Sequence, residues 1–372
     1  MSNDKIVQIK NLSLIFGKNT INELKAIDDF SSSFSQGNIH YIIGDSGSGK
    51  STLVLHLNGL LKSSTGDIII DDIEILGKNK KIKKVKQLRR KISLVFQYPE
   101  YQLFKDTIYN DILFGPKALG TPKIFYQDIN LKNIKKSINE NIDMILVTFF
   151  EKFEEKVDKE FFLKEYKILK WKFKNNNVTL KLRIKNFSFK VSYFLKENLL
   201  NEIEREIGKK YLNKMGLDDS FLERNPFGLS GGQKRRVAIA GILSIDPEIL
   251  VFDEPTAGLD PSGEHETMEI ISDLKSQGKT LFVITHSMDQ VLLNGDTVTV
   301  MEKGKILLTG NPYEIFTNPI LYSKTKMEKP KVIELIDQLV KGNSKFKKLY
   351  ELKPTNDKEL ISCIIQILER KV

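Results

Sequence analysis

The chain has 372 residues, 40% of them hydrophobic, which is enough for a sizeable core and about two domains, so a disordered or fibrous protein is excluded. It carries 58 lysines and arginines against 48 aspartates and glutamates, a net charge of +10 that permits anionic partners such as a nucleotide, nucleic acid or a lipid surface. The excess is uneven, with +5 over residues 1–120, +7 over 121–200, −7 over 201–320 and +5 over 321–372.

The cysteine content and the apolar runs indicate the compartment. A single cysteine, Cys363, cannot form an intramolecular disulfide, and the first residues lack the apolar segment of a signal peptide. No uninterrupted apolar run approaches the roughly eighteen residues that a membrane-spanning helix needs. We therefore expect a protein of the reducing cytoplasm that can contact a membrane without crossing it.

The first part of the chain predicts strands around one helix. Alternating apolar residues from Ile6 to Phe16, and again around Phe30, indicate antiparallel strands. An apolar run at 39–43 indicates a buried strand, and a helix is predicted to follow at 51–61. This helix is expected to place three leucines on one face: Leu53, Leu57 and Leu60.

Further strands alternate with helices along the rest of the chain. They are predicted at residues 68–77, 91–97, 248–255 and 280–287, and a final hairpin is predicted at 297–310. Because these strands are apolar throughout and are separated by helical segments, the fold class is α/β with a largely parallel sheet.

Residues 121–198 interrupt this alternation. The segment begins helical and acidic near 151–160, then alternates from Trp171, across a polar turn at 175–177, to Tyr193, which predicts a meander of three short strands. The polar face of the meander is basic, with Thr179, Lys181, Arg183 and Lys190. Two interpretations are open: a surface insertion that is tolerated because loops cost little entropy, or a basic, aromatic-rich surface that contacts lipid headgroups or another subunit.

The tail from about residue 326 is predicted to be helical. One helix shows an apolar stripe formed by Val332, Leu335, Ile336, Leu339 and Val340. Asn356 and Glu359 predict a capping box at the start of a last helix. The apolar residues of that last helix are Ile361, Ile364, Ile365 and Leu368.

Residues 44–51 fit the phosphate-loop pattern G-x-x-x-x-G-K-[ST], between an apolar strand and a helix. The glycines let backbone N–H groups converge on phosphate oxygens, Lys50 supplies a positive charge, and the Ser51 hydroxyl can ligate Mg²⁺. A glycine-rich turn with a chance Lys-Ser pair is the alternative. The residues predicted to bind nucleotide here are Gly44, Asp45, Ser46, Gly47, Ser48, Gly49, Lys50, Ser51 and Thr52.

A second cluster follows the apolar strand at 249–252, which ends in Asp253 and Glu254. This arrangement predicts that Asp253 holds Mg²⁺ and that Glu254 orients or deprotonates the attacking water. A capped strand end without chemistry is the alternative.

The motif LSGGQ at 229–233 stands between these two clusters. With it, the chain strongly resembles the ATP-binding cassette ATPases, and the other elements of that family follow in order. Gln97 resembles the Q-loop glutamine, Asp260 the D-loop aspartate and His286 the switch histidine. Phe16 resembles the aromatic residue that stacks on adenine.

The resemblance implies a fold, cofactors and roles. It implies a P-loop ATPase core with an N-terminal antiparallel β subdomain, a helical signature subdomain and a C-terminal helical extension, using ATP and Mg²⁺. The implied catalytic residues are Glu254, His286, Gln97 and Lys50, and the implied metal ligands are Ser51, Gln97 and Asp253. In this family two subunits pair head to tail around two nucleotides. The residues that would reach the partner's nucleotide are Ser230, Gly231 and Gly232, and Gln233 and Asp260 are further implied nucleotide-binding residues.

The residues around the motifs are most similar to those of the ATPases of energy-coupling factor importers, which take up vitamins or transition-metal ions. The similar stretches include 96–104 and 225–241, and they fit the second of two paralogous ATPases best. This resemblance implies a heterodimer with the paralogous ATPase, a transmembrane coupling protein and a substrate-binding membrane protein, all at the cytoplasmic face of the cell membrane. Residues 98–104 would form part of the groove that receives coupling helices.

The expected organisation is an ATPase domain formed by 1–120 and 199–320, an inserted subdomain at 121–198 and a helical dimerisation tail at 321–372. The alternatives are a nucleotide-binding subunit of another ABC transporter, or a non-transport ABC ATPase acting on nucleic acid. Nucleic acid is not expected as a partner, because the basic clusters contain no known recognition module.

Overall fold

A computed structural model describes residues 5–75, 82, 84–119, 131–153, 158–174, 177–184, 187–194 and 197–369. The chain divides into two compact units, the first formed by 1–97 with 247–372 and the second by 98–246.

The strands, in chain order, are β1 (Lys5–Phe16), β2 (Leu24–Ser35), β3 (Ile39–Gly44), β4 (Thr65–Ile70), β5 (Ile73–Ile75), β6 (Ile92–Val95), β7 (Lys167–Lys174), β8 (Asn177–Ile184), β9 (Phe187–Phe194), β10 (Ile249–Asp253), β11 (Thr280–Ile284), β12 (Thr297–Glu302) and β13 (Lys305–Gly310). The α-helices are α1 (Lys50–Leu57), α2 (Val85–Lys91), α3 (Ile108–Leu119), α4 (Leu131–Glu140), α5 (Ile142–Phe153), α6 (Lys159–Glu165), α7 (Glu197–Lys214), α8 (Gly231–Leu243), α9 (Pro261–Ser276), α10 (Met288–Asn294), α11 (Pro312–Phe316), α12 (Pro319–Lys324), α13 (Lys331–Gly342), α14 (Leu349–Leu352) and α15 (Asp357–Glu369).

The first unit contains a six-stranded sheet in the order β13-β12-β3-β11-β10-β6. Its five strands from β12 to β6 are parallel, and only β13 runs antiparallel, paired to β12. Strands β3 and β11 are buried along their whole length, which explains why they carry continuous rather than alternating apolar residues. The predicted α/β fold with a largely parallel sheet is confirmed.

A second sheet in the same unit has the order β2-β1-β4-β5 and is antiparallel. Its buried residues, among them Leu12, Ile27 and Phe30, share one hydrophobic core with Leu53 of α1 and Phe282 of β11. The predicted N-terminal antiparallel sheet is confirmed, and its packing holds α1 between the two sheets.

The prediction that Leu60 lies on the helix face with Leu53 and Leu57 was wrong. Helix α1 ends at Leu57, because Gly59 adopts a left-handed conformation with φ of 66° and turns the chain. Leu60 follows this turn and is 48% exposed.

The second unit contains a three-stranded sheet in the order β7-β8-β9, with both pairs antiparallel. The predicted meander is confirmed, whereas residues 175–176 of the predicted turn lie outside the described residues. One face of the sheet is covered by α5, whose Phe149 packs edge-on against Phe189 with ring centroids 5.2 Å apart. The helical start is also confirmed, by α5 and α6.

The tail forms the two predicted helices, α13 and α15, but their buried faces differ from the prediction. In α13 the buried residues are Val332, Ile333 and Ile336, whereas Leu335 is 43% exposed. The helix is rotated toward Ile333, which the predicted stripe omitted.

Only half of the predicted capping box forms in the tail. The side-chain oxygen Oδ1 of Asn356 accepts the Glu359 N–H at 3.0 Å, as predicted. The Glu359 carboxylate accepts instead from the N–H and the hydroxyl of Thr355, at 2.7 and 2.9 Å, because Thr355 offers two donors to the same oxygen.

Candidate functional site

A cleft of about 670 Å³ lies at the carboxyl ends of the parallel strands. The loops that follow β3, β6, β10 and β11 meet there, as expected for adjacent parallel strands of an α/β sheet. The predicted site residues that line the cleft are Ser46, Gly47, Lys50, Ser51, Gln97, Asp253, Glu254 and His286.

The lysine of the phosphate loop forms hydrogen bonds with the backbone of the same loop. The buried Lys50 ammonium donates to the Gly44 carbonyl at 2.7 Å and to the Asp45 carbonyl at 3.0 Å. Burial lowers the pKa of Lys50, and the nearby carboxylates of Glu254 and Asp253 oppose that shift. The lysine therefore stays inside the loop with a positive charge that faces two acids.

Two acids follow β10 into the cleft. Burial raises the pKa of Asp253, although a hydrogen bond with Ser51 and the charge of Lys50 partly offset the effect. Burial likewise raises the pKa of Glu254, and the nearby His286 lowers it again in part. The Glu254 Oε1 lies 3.3 Å from His286 Nε2.

Glu254 has a strained backbone. Its φ is 51°, in the left-handed region that side chains rarely adopt, and its N–H donates to the Ile284 carbonyl of β11 at 3.0 Å. Strain of this kind persists where the surrounding structure fixes a conformation, and it is found mostly at functional sites.

The residues of the cleft fit a magnesium-bound nucleotide. Two buried side-chain oxygens, Glu254 Oε1 in the cleft and Ser48 Oγ in the phosphate loop beside it, make no hydrogen bond within the described residues. Such buried groups need a partner, and a phosphate or a water would supply one. The Ser51 hydroxyl and the Asp253 carboxylate are hard oxygen donors of the kind that Mg²⁺ prefers.

The signature motif begins α8 in the second unit. Ser230 is the N-cap, its Oγ accepts the Gln233 N–H at 3.3 Å, and the Gln233 side chain accepts the Ser230 N–H at 3.1 Å. Gly231 and Gly232 follow as the first helical residues, and a Cβ on either would meet no atom within 4 Å. The motif is therefore a rigid, exposed helix N-terminus with open space before its backbone.

The predicted site residues of the first unit that do not line the cleft are Phe16, Gly44, Asp45, Ser48, Gly49, Thr52 and Asp260. Phe16 ends β1 and is 41% exposed. The Thr52 carbonyl accepts a hydrogen bond from the His56 ring at 2.7 Å. Asp260 is the N-cap of α9 and accepts the Gly263 N–H at 2.9 Å.

Several residues at the cleft and beside it have roles that the sequence did not predict. Glu264, in the first turn of α9, lines the cleft. The Asp45 carboxylate accepts the backbone N–H of Lys326 at 3.3 Å, and Asp289 accepts that of Lys331 at 2.7 Å. These two bonds tie the tail to the phosphate loop and to α10. No local pattern could reveal them, because the partners are far apart in the sequence.

The fold and the cleft define a P-loop ATPase. The family model described as ABC transporter matches residues 27–257. The energy-coupling factor transporter ATP-binding protein EcfA2 of Mycoplasma pneumoniae is 42% identical over 360 residues, which cover 97% of this chain and 93% of that protein. The EcfA2 of Clostridium tetani is 36% identical and covers 90% of this chain and 88% of its own length. The chain therefore belongs to the ABC transporter family of ATPases, among the energy-coupling factor transporter ATP-binding proteins.

Solved structures agree with this fold. The structure of cbiO1 from Clostridium perfringens, part of the ABC transporter complex cbiONQ, has a TM-score of 0.55 and 26% identity, covering 94% of this chain and 99% of that chain. The cassette MJ0796, in a dimeric post-hydrolysis state with ADP and Pi, has a TM-score of 0.52 at 20% identity and covers 82% of this chain and 98% of its own, which shows the fold alone.

In the part of the chain that the structure describes, each helix falls short of the length and apolarity required to span a bilayer.

Proposed function

We propose that the chain is the ATP-hydrolysing subunit of an energy-coupling factor importer and that it powers uptake of vitamins or transition-metal ions through membrane subunits. The observation that carries the proposal is the Glu254 carboxylate, whose Oε1 lies 3.3 Å from His286 Nε2 in the cleft of a chain that matches EcfA2 proteins over nearly its whole length.

The roles at the cleft follow from position and charge. Lys50 and the loop N–H groups bind the β and γ phosphates, and Glu254 orients and deprotonates the attacking water. His286 contacts the γ phosphate, and Gln97 senses the water and the metal. Ser51, Asp253 and Gln97 would hold Mg²⁺, which when bound neutralises charge on the phosphates.

The signature motif supports a composite site formed with a second subunit. A transferred phosphoryl group needs positive charge on several sides, and this chain's cleft supplies one of them. The exposed N–H groups of Gly231 and Gly232 would supply another to the nucleotide held by the partner. The partner proposed here is the paralogous ATPase, so that ATP binding closes a heterodimer and hydrolysis releases it. Phe16 is proposed to stack on adenine, and Asp260 and Thr52 to complete the nucleotide contacts.

Replacing Glu254 by Gln tests the catalytic role. The isosteric amide keeps the shape of the cleft but is not a base, so we expect hydrolysis at this site to fall by about a hundredfold or more while ATP binding persists. Glu264→Gln removes a carboxylate from the same cleft and serves as the matched control, with activity expected to stay within about threefold of the parent. Hydrolysis near the parent rate in Glu254→Gln, measured in single-turnover phosphate release by the assembled ATPase pair, would contradict the role.

The proposal of membrane partners is supported by exposed aromatic residues in the second unit. The loop after Gln97 carries Tyr98, Tyr101 and Phe104, which are 45%, 83% and 55% exposed. Exposed aromatic residues so close in sequence are typical of a contact surface. We assign them to a groove for a transmembrane coupling protein, at the cytoplasmic face of the membrane.

The tail supports a dimer contact. In α15 only Leu360 is buried, whereas Ile361, Ile365 and Leu368 are between 47% and 58% exposed. This row of apolar residues along one helix is proposed to pack against the paralogous ATPase.

Purification with neighbouring membrane proteins tests the proposed assembly. We expect a tagged chain to co-purify from detergent with a second ATPase, a coupling protein and a substrate-binding protein. Recovery with the permease of a different ABC transporter would instead support the alternative assignment, and recovery with nucleic acid alone would contradict transport.

A further inference from the structure

The sheet β7-β8-β9 carries all its charge on one face. Its three strands contain seven lysine or arginine residues and no aspartate or glutamate. The antiparallel register, with its shift between Ile168 and Lys170, places every one of them on the same face. This basic face consists of Lys167, Lys170, Lys172, Lys174, Lys181, Arg183 and Lys190.

The central row of the basic face is costly for the fold. Lys170 pairs directly with Lys181, and Lys181 pairs directly with Lys190, so three lysines occupy directly opposite register positions across the three strands. Neighbouring strands are about 4.8 Å apart. Like charges in directly opposite positions destabilise a sheet, and these strands contain no carboxylate that could compensate them. Such a row therefore indicates an anion outside the sheet.

The opposite face supplies the stability of this sheet. Leu180, Leu182, Ile184 and Phe189 are buried there, and Phe149 of α5 packs on Phe189. The described cations Lys181, Arg183 and Lys190 are exposed. These three cations are thus no part of the core and are accessible to a partner.

We propose that the basic face binds the surface of a membrane that contains anionic phospholipid. Its cations form a two-dimensional array, spaced by about 4.8 Å across the strands and about 6.8 Å along them, and a layer of headgroup phosphates is a two-dimensional array of opposite charge. The same compact unit holds the exposed aromatic residues at 98–104, which are assigned to a membrane partner.

The placement of aromatic residues favours lipid over RNA. Sheets that bind single-stranded RNA stack bases on aromatic side chains next to their cations. In this sheet the aromatic register positions belong to the covered face, including Phe187 and Phe189, and only Phe194, at the end of β9, falls on the basic one.

The test uses the full-length protein and sedimentation with vesicles of phosphatidylcholine, alone or with about 30% phosphatidylglycerol. We expect binding to the anionic vesicles only, weakening as salt rises beyond about 0.15 M, where the screening length falls below about 8 Å. Each cation near an anionic surface strengthens partition about fivefold, so the triple variant Lys170→Gln, Lys181→Gln, Lys190→Gln should bind about a hundredfold more weakly.

The control variant replaces three exposed tail lysines, Lys345, Lys347 and Lys348, by Gln, which removes the same charge. It should bind within about twofold of the parent. The thermal midpoint of the row variant should equal or exceed that of the parent, because a like-charge row has been removed, and this excludes misfolding as the cause.

Three outcomes would overturn the proposal. They are equal binding of the parent to neutral and anionic vesicles, undiminished binding of the row variant, and an equal loss in the control variant. Displacement of the anionic vesicles by a single-stranded RNA that binds the parent but not the row variant would assign the face to RNA instead.

Discussion

Two glycines of the phosphate loop allow backbone strain to be separated from a steric clash. Gly47 and Gly49 both have left-handed φ values, of 78° and 103°. A Cβ at Gly47 would meet nothing within 4 Å, whereas a Cβ at Gly49 would lie 2.5 Å from the backbone carbonyl oxygen of Ala26 in β2. Left-handed conformation costs an alanine about 1–2 kcal/mol. A clash with a fixed backbone atom adds about 1–3 kcal/mol.

We therefore expect Gly47→Ala to lower the free energy of unfolding by about 1 kcal/mol and Gly49→Ala by about 3 kcal/mol. The assay is urea unfolding without nucleotide, followed by circular dichroism. The two variants are compared with the same dependence of the unfolding free energy on urea concentration. The only tryptophan, Trp171, lies in the second unit, so its fluorescence transition should move less than the dichroism transition. Equal losses in the two variants, or a larger loss for Gly47→Ala, would refute the reasoning.

Three further predictions concern nucleotide binding and the tail. Lys50→Ala should abolish detectable ATP binding, measured by fluorescent-nucleotide titration, because the loop loses its cation. Asp289→Ala should lower the stability of the tail by about 1 kcal/mol, because the N–H at the start of α13 loses its acceptor, and Asp289→Asn should lower it by less. The rate of protease cleavage in the tail measures this difference. Equal cleavage rates in the two variants would contradict the prediction. Burial alone would raise the pKa of Asp337, but hydrogen bonds from Lys329 and Tyr350 hold it below its usual value. The stability that this carboxylate contributes is thus present above about pH 4 and lost as the pH falls further, so the parent and Asp337→Asn should have converging thermal midpoints toward pH 3.

The sequence predicted most of the fold because the relevant signals are local. The three-stranded meander follows from the alternation in β8 and β9, and the parallel sheet follows from uniformly apolar strands such as β10. The wrong prediction for Leu60 shows that leucine spacing alone does not predict where a helix ends. The glycine that follows α1 was the stronger signal for its end.

The predicted residues that line the cleft could be found from the sequence because each lies in a short motif that follows a strand, as Lys50 and Glu254 do. The strain at Glu254, the capping role of Asp260 and the contribution of Glu264 were not, because they depend on how loops from different strands meet. The buried face of α13 also depends on the elements that pack against it. The apolar spacing in the sequence therefore could not show that Ile333 is buried and Leu335 exposed.

The bonds that tie the tail to the phosphate loop have a consequence for variation in this chain. At Lys326 and Lys331 the donor is the backbone N–H, which every amino acid except proline possesses. The acceptors are side-chain carboxylates, at Asp45 and Asp289. Substitutions other than proline at the two tail positions therefore leave both hydrogen bonds intact, whereas the bonds require a carboxylate at Asp45 and Asp289. The ATPase domain rather than the tail thus determines whether the connection persists.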